Sequence, residues 1–392
     1  MTDAESRALD RTPTVIEAIG SSYERRPEIW REVSEAEWES YEWQCAHRLH
    51  TVDEISQAIG MDDGERAATE ALSRAFSAAI PPHYASLVRT EHGSACPIRR
   101  QAVPTMAELE ESASLSCDPL GERRHALSRC AVRRYPDRIL LYTTHACAMR
   151  CRHCTRRSRV GLSEAILRED ILRGIEMAQH DERVRDVLIS GGDPLSLDNA
   201  TLEIILSRLR SCAHIDVIRL CTRMVCTQPQ RIFDAQLLDI LRRYAPIYVN
   251  TQFNHPYEAT TESAEAMRLL RSSGCILGNQ SVLLRGVNDS AQTLEALYRW
   301  LTREGCRPYY LFLCDVAQGT EHFRTTLQAG LDIMKYLRGR LSGLALPHFV
   351  VDLPDGNGKI DLSPDSILSH EGTCLTFRNW FGDAIQYWEP EY

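Results

Sequence analysis

No stretch of this chain approaches the ~20 consecutive apolar residues that a membrane-spanning helix needs. No long run of basic residues offsets its net charge of −9. The first lack argues against insertion in a membrane, the second against nucleic acid or an anionic bilayer as a partner. The amino terminus, Met1-Thr2-Asp3-Ala4-Glu5-Ser6, is acidic and polar, without the cationic and apolar parts of a signal or transit peptide. Low-complexity segments and internal repeats are also missing. These lacks lead us to expect a cytosolic protein. At 392 residues, 43% apolar and 25% charged, the chain suits one large soluble domain with an accessory segment, or two domains.

Cysteine, by contrast, is plentiful. Of fourteen, eleven are scattered: Cys45, Cys96, Cys117, Cys130, Cys212, Cys221, Cys226, Cys275, Cys306, Cys314 and Cys374. Several fall inside apolar runs, as free core thiols do, and without a secretion signal a reducing compartment is the better reading than a disulfide framework. The other three are concentrated in His145-Ala146-Cys147-Ala148-Met149-Arg150-Cys151-Arg152-His153-Cys154-Thr155-Arg156-Arg157, with spacing C-x3-C-x2-C. Three thiolates so close can hold three corners of a [4Fe–4S] cubane and leave the fourth iron open to an outside molecule. A structural zinc site asks instead for four protein ligands, usually in two separated pairs.

The chain divides by pattern. Residues 1–125 read as a helical N-terminal segment, with a capping box at Ser34-Glu35-Ala36-Glu37 and apolar anchors at Trp30, Trp38, Tyr41 and Trp43. From about 126 to 355, strand-like runs (Ile139–Thr143, Asp186–Ser190, Asp216–Cys221, Pro246–Phe253, Ile276–Leu284, Arg307–Leu313, Phe349–Asp352) alternate with helix-like ones. Strand–helix repetition implies right-handed βαβ units and a mostly parallel sheet, closed as a partial or complete α/β barrel. The cysteine run follows the first of these strands, at the carboxyl end where such barrels place their chemistry. Residues 356–392 remain as a lysine-bearing loop and a short C-terminal extension.

The cysteine run resembles the signature of radical S-adenosylmethionine enzymes, and Cys151-Arg152-His153-Cys154-Thr155-Arg156-Arg157 resembles the version in the lysine 2,3-aminomutase family. The resemblance covers nearly the whole chain. It includes Trp38 to Glu54, Asn254-His255-Pro256 and Leu283-Leu284-Arg285-Gly286-Val287-Asn288-Asp289. It implies a partial (β/α) barrel of the radical S-adenosylmethionine type, an isomerase activity, and three cofactors: a [4Fe–4S] cluster on Cys147, Cys151 and Cys154, S-adenosylmethionine, and pyridoxal 5′-phosphate. It further implies an amino acid substrate, a reductant such as flavodoxin or ferredoxin, and a homo-oligomer.

Residue by residue, Ser190-Gly191-Gly192-Asp193 resembles the family's segment for the amino group of S-adenosylmethionine; two glycines admit close backbone approach and an Asp accepts from ammonium. Lys359, in Asp355-Gly356-Asn357-Gly358-Lys359, stands where the family carries pyridoxal phosphate as a Schiff base. Arg134, Tyr135 and Arg138, just before the first barrel strand, resemble the phosphate-contacting segment, with Gln280 as a further contact. Arg156 matches the arginine that pairs with the substrate α-carboxylate. Asp315 and Asp352 match the two aspartates that hold a distal ammonium, and such a pair would repel the side chain of glutamate.

Three departures bear on these expectations. Asp355 and Asn357 interrupt the family's glycine run, and Asp355 is expected to serve a bulkier head group. Gln252 replaces a histidine near S-adenosylmethionine. Ser290 takes the place of a zinc-binding cysteine, and the cysteine-rich tail that completes that site in the clostridial type is not found after Trp388. The expected activity is therefore 2,3-amino migration on a basic L-α-amino acid, lysine ahead of arginine. The alternatives are a radical S-adenosylmethionine enzyme without pyridoxal phosphate and a non-catalytic metal protein.

Overall fold

Runs rich in Ile, Val and Leu become the middle of a nine-stranded sheet in the computed structural model, which describes residues 20–110, 115–363, 366–379 and 382–390. The strands are β1 (Ala131–Tyr135), β2 (Arg138–Thr144), β3 (Asp186–Gly191), β4 (Val217–Cys221), β5 (Ile247–Thr251), β6 (Cys275–Leu283), β7 (Cys306–Leu313), β8 (His348–Asp352) and β9 (Lys359–Asp361). They lie side by side in chain order. Strands β2 to β8 are parallel, and β1 and β9 pair antiparallel at the two edges.

Helices α1 (Arg168–Gln179), α2 (Asn199–Arg210), α3 (Ala235–Arg243), α4 (Thr261–Ser272), α5 (Ala291–Arg303) and α6 (Leu327–Leu337) make the crossovers. Five of the six start on a side-chain cap: Asp198, Asp234, Thr260, Ser290 and Thr326 each accept a first-turn amide. Ser290, the residue in the place of the zinc-binding cysteine, thus caps α5.

Strand side chains alternate between two faces. One set (Ile139, Leu141, Val187, Ile189, Ile218, Leu220, Val249, Leu311, Phe349) packs beneath the helices in the main core. The other set (Leu140, Leu188, Arg219, Asn250, Gln280, Tyr310, Phe312, Val350) lines a cavity on the concave side. Nothing pairs β1 with β9 in a ladder, so the barrel is partial. Yet the curl brings the two edge regions together: Arg134 of β1 donates to Asp352 of β8 at 2.8 Å.

The N-terminal segment is helical as expected, with Trp30 and Trp38 buried at a centroid distance of 5.9 Å and the Ser34–Glu37 capping box formed. Three features differ from the sequence reading. The Arg133-Arg134-Tyr135 segment is itself a strand, paired with β2 through an irregular register, and Arg134 and Tyr135 both face the cavity. Lys359 opens β9 rather than sitting in a loop, directly across from Asp352. The C-terminal extension forms a second antiparallel sheet of β10 (Ile367–Glu371), β11 (Cys374–Arg378) and β12 (Ala384–Trp388). All fourteen cysteines are unpaired. Among the described residues no helix is long and apolar enough to cross a membrane.

Candidate active site

The carboxyl ends of the parallel strands open onto one cavity of about 730 Å³, in the upper part of the roughly 300–1,000 Å³ typical of small-molecule sites. Cys147, Cys151, Cys154, Arg156, Ser190, Gly191, Gly192, Asp193, Gln280, Asp315, Asp352, Lys359, Arg134, Tyr135 and Arg138 all line it. Every expected site residue is therefore brought to one place. Asp355 is not: its side chain is exposed outside the cavity, so it is not placed to read a head group. Its backbone, at φ 58°, instead packs on the chain at Gly121.

The cysteine loop is anchored from several sides. Gly192 donates to the Thr144 carbonyl at 2.6 Å and Asp193 to the Ala146 carbonyl at 2.8 Å. A Cβ on Gly192 would lie 2.1 Å from Ala146 O, so the glycine is required by the loop itself. The Asp193 carboxylate, buried, accepts from the Thr222 hydroxyl at 2.7 Å and the Arg223 amide at 2.8 Å, which ties the end of β4 to the site. Arg223 in turn donates to Cys151 Sγ at 2.8 Å and to Glu258 at 2.6 Å. Arg152 and Arg157 converge on Glu108, whose side chain has no exposure, at 2.6 and 2.5 Å. Gln252 lines the cavity with its Nε2 3.5 Å from His153 Nε2.

Among the described residues no three His, Cys, Asp or Glu side chains converge as a single-ion site demands. A cubane makes a different demand, since each thiolate holds its own iron, and three cysteines on one cavity wall fit it.

At the end of β8 and the start of β9, Lys359 Nζ donates to Asp352 Oδ2 at 2.8 Å and lies 4.0 Å from the Phe312 ring centroid. Burial holds its amine below the ordinary lysine range, against the pull of Asp352. That shift favours the neutral, nucleophilic amine that a carbonyl cofactor needs. Asp352 also accepts from Arg134. Arg138 donates to Asp137 at 2.8 Å and lies over the Tyr135 ring. Arg134 and Arg138 both lie against the Tyr135 ring, and with Gln280 they give the cavity several hydrogen-bond donors.

Asp315 contrasts with its neighbours. Its Oδ1 is buried and accepts no hydrogen bond. Burial first, and then the Asp352 charge, push its carboxyl up to about 7. An orphaned carboxylate facing a cavity asks for a cationic ligand.

Sequence reasoning missed Glu122. It is buried, lines the cavity, and accepts from Arg156 Nε at 2.8 Å and Nη2 at 2.5 Å. It lies 34 residues from Arg156 on an irregular segment, so no periodicity marks it. For Lys359 a simple signal existed: the chain has only two lysines, Lys335 and Lys359.

With this geometry in hand, the comparisons are specific. The profile described as the radical SAM superfamily matches residues 141–301, and that described as lysine-2,3-aminomutase matches residues 334–392. An L-lysine 2,3-aminomutase of Clostridium subterminale is 40% identical over 93% of this chain and 88% of its own length. A putative L-lysine 2,3-aminomutase of Aquifex aeolicus is 41% identical over 92% of this chain and 99% of its own. A glutamate 2,3-aminomutase of Clostridioides difficile is 40% identical over 90% and 83%. The chain belongs to the lysine 2,3-aminomutase family of radical S-adenosylmethionine enzymes.

Proposed function

We propose that this protein is a 2,3-aminomutase for a basic L-α-amino acid, converting L-lysine to β-lysine in preference to L-arginine to β-arginine. Identity does not choose the substrate, since the lysine and glutamate enzymes are equally similar to this chain. The observation that carries the reading is the unpartnered Asp315 carboxylate beside Asp352, at the wall that also bears Lys359. A glutamate side chain there would meet two carboxylates; a lysine ammonium would supply the missing donor. A guanidinium could bridge the pair in bidentate fashion, which keeps arginine as the second reading. The exposed position of Asp355 removes one reason to favour it.

When bound, the cluster with S-adenosylmethionine supplies a hydrogen-abstracting radical, and pyridoxal phosphate supplies the carbonyl chemistry through which an amino group migrates. Cys147, Cys151 and Cys154 would hold the cluster, Ser190 to Asp193 flank S-adenosylmethionine, and Lys359 carry pyridoxal phosphate. Arg134, Tyr135, Arg138 and Gln280 would hold the phosphate, and Arg156 the α-carboxylate. The protein's own contribution is placement. Side chains from several strand ends line one cavity and would hold the reacting atoms near each other. The reading requires a one-electron donor such as flavodoxin or ferredoxin. It includes a homo-oligomer, for which the exposed apolar residues Ile385, Tyr387 and Trp388 of β12 speak.

Anaerobic incubation of the reconstituted protein with lysine tests the proposal. β-Lysine should form in wild type and not in Lys359→Ala. An absorbance band from bound pyridoxal phosphate, lost in the same variant, separates this reading from a radical enzyme without that cofactor.

A further inference from the structure

The segment from Ser116 to His125 crosses the open side of the sheet between β1 and β9. It is bonded to each of the loops that bear substrate-facing residues. Ser116 donates to the Val316 carbonyl at 2.8 Å, one residue beyond Asp315. The Pro119 carbonyl accepts from Asp355 at 3.2 Å, on the way to Lys359. Gly121, at φ +62°, lies so close to Asp355 that a Cβ would meet its carbonyl carbon at 2.6 Å. The Asp118 carboxylate fixes the turn by accepting from the Glu122 and Arg123 amides, both at 2.9 Å.

Glu122 is the one acidic side chain that this strap sends into the cavity. A guanidinium has two edges that can each take a carboxylate. Glu122 takes the Nε–Nη2 edge of Arg156, while Nη1 donates to Ser190 Oγ at 3.3 Å, on the cavity wall. A carboxylate beside a carboxylate would normally be excluded. Here Arg159 Nη1 lies 3.9 Å from Glu122 Oε2, and Arg134 adds a further positive charge nearby. The surroundings can accept a second anion.

We infer that Glu122 is a positioning residue: it holds Arg156 by its Nε–Nη2 edge so that the Nη1–Nη2 edge, which no carboxylate occupies, receives the substrate α-carboxylate. Through the strap, that edge is registered against Asp315 and Lys359, so the carboxylate reader and the ammonium reader keep a fixed separation. The inference rests on the aminomutase reading above and names a residue for its carboxylate recognition.

The test is binding to the reconstituted holoenzyme, followed by the absorbance change of its pyridoxal phosphate. The probes are L-lysine and 1,5-diaminopentane, which is lysine without its carboxylate. Wild type should prefer lysine. In Glu122→Ala that preference should fall by about tenfold or more, with the diaminopentane constant unchanged. Glu122→Gln, which keeps one acceptor for the Arg156 edge, should retain part of it. An unchanged preference in Glu122→Ala would overturn the inference. So would an equal weakening of both ligands in both variants, the mark of general damage. Failure of the aminomutase reading would show separately, as a wild-type protein that binds lysine no better than the diamine and forms no β-amino acid.

Discussion

Asp315→Asn should change how stability depends on pH. Burial and the neighbouring Asp352 charge raise the Asp315 carboxyl from 3.8 to about 7. Below pH ~4 the group is protonated in both folded and unfolded chains and imposes no penalty. Between ~4 and ~7 the unfolded chain ionises while the folded one resists, so stability falls as pH rises. Above ~7 the full penalty is present. A shift of about 3 units at ~1.4 kcal/mol each gives roughly 4 kcal/mol, an upper figure because cavity water screens the charge. Asparagine cannot ionise, though it still buries an unpartnered oxygen at about 1–3 kcal/mol, independent of pH. In denaturant titrations of the substrate-free protein at pH 4.5, 6 and 8, the variant should gain on wild type steadily as pH rises. Lysine added at pH 8 should recover part of the wild-type loss, because its ammonium pairs with Asp315. Parallel pH profiles for the two proteins would refute the reasoning.

Two further changes probe the support of the cysteine loop. Gly192→Ala places a methyl group 2.1 Å from Ala146 O, an overpacking worth roughly 1–3 kcal/mol that should be relieved by moving the loop. Iron and sulfide bound per chain after reconstitution should drop, and full wild-type loading would contradict the packing argument. Glu108→Ala leaves the buried Arg152 and the half-buried Arg157 without their shared carboxylate, at a cost of about 3–5 kcal/mol. An unfolding free energy within ~1 kcal/mol of wild type would show that the cluster of charges is not what holds the loop.

The parts that chain-local patterns encode were legible. Strands β2 to β8 announced themselves because each is a short apolar run between helical periods, and their carboxyl ends carry the residues that meet in the cavity. The cysteine triplet stood out by its spacing, and Lys359 by the resemblance of the segment around it to the family's; both line the cavity. Strand β1 was not, since Arg133 and Arg134 look like a surface turn until the opposite edge supplies Asp352. Strands β10 to β12 are short, largely exposed and only weakly alternating. The partners of Arg156 and of Cys151, namely Glu122 and Arg223, lie 34 and 72 residues away. Such pairings are set by the curl of the sheet, and no local period reports them. The Ser190–Asp193 segment was visible as a site. Its hydrogen bonds to Thr144, Ala146 and Thr222, which make it a support of the cysteine loop, were not.

The most direct measurement of the central claim is the ranking of kcat/KM for L-lysine, L-arginine and L-glutamate. It should be made anaerobically with one reconstituted preparation, and each product identified by mass and chromatography. The account predicts a β-amino acid from lysine above arginine and little from glutamate, because the proposed reading sets Asp315 and Asp352 at the end of the side chain. β-Glutamate as the dominant product, or no β-amino acid from either cation, would contradict it.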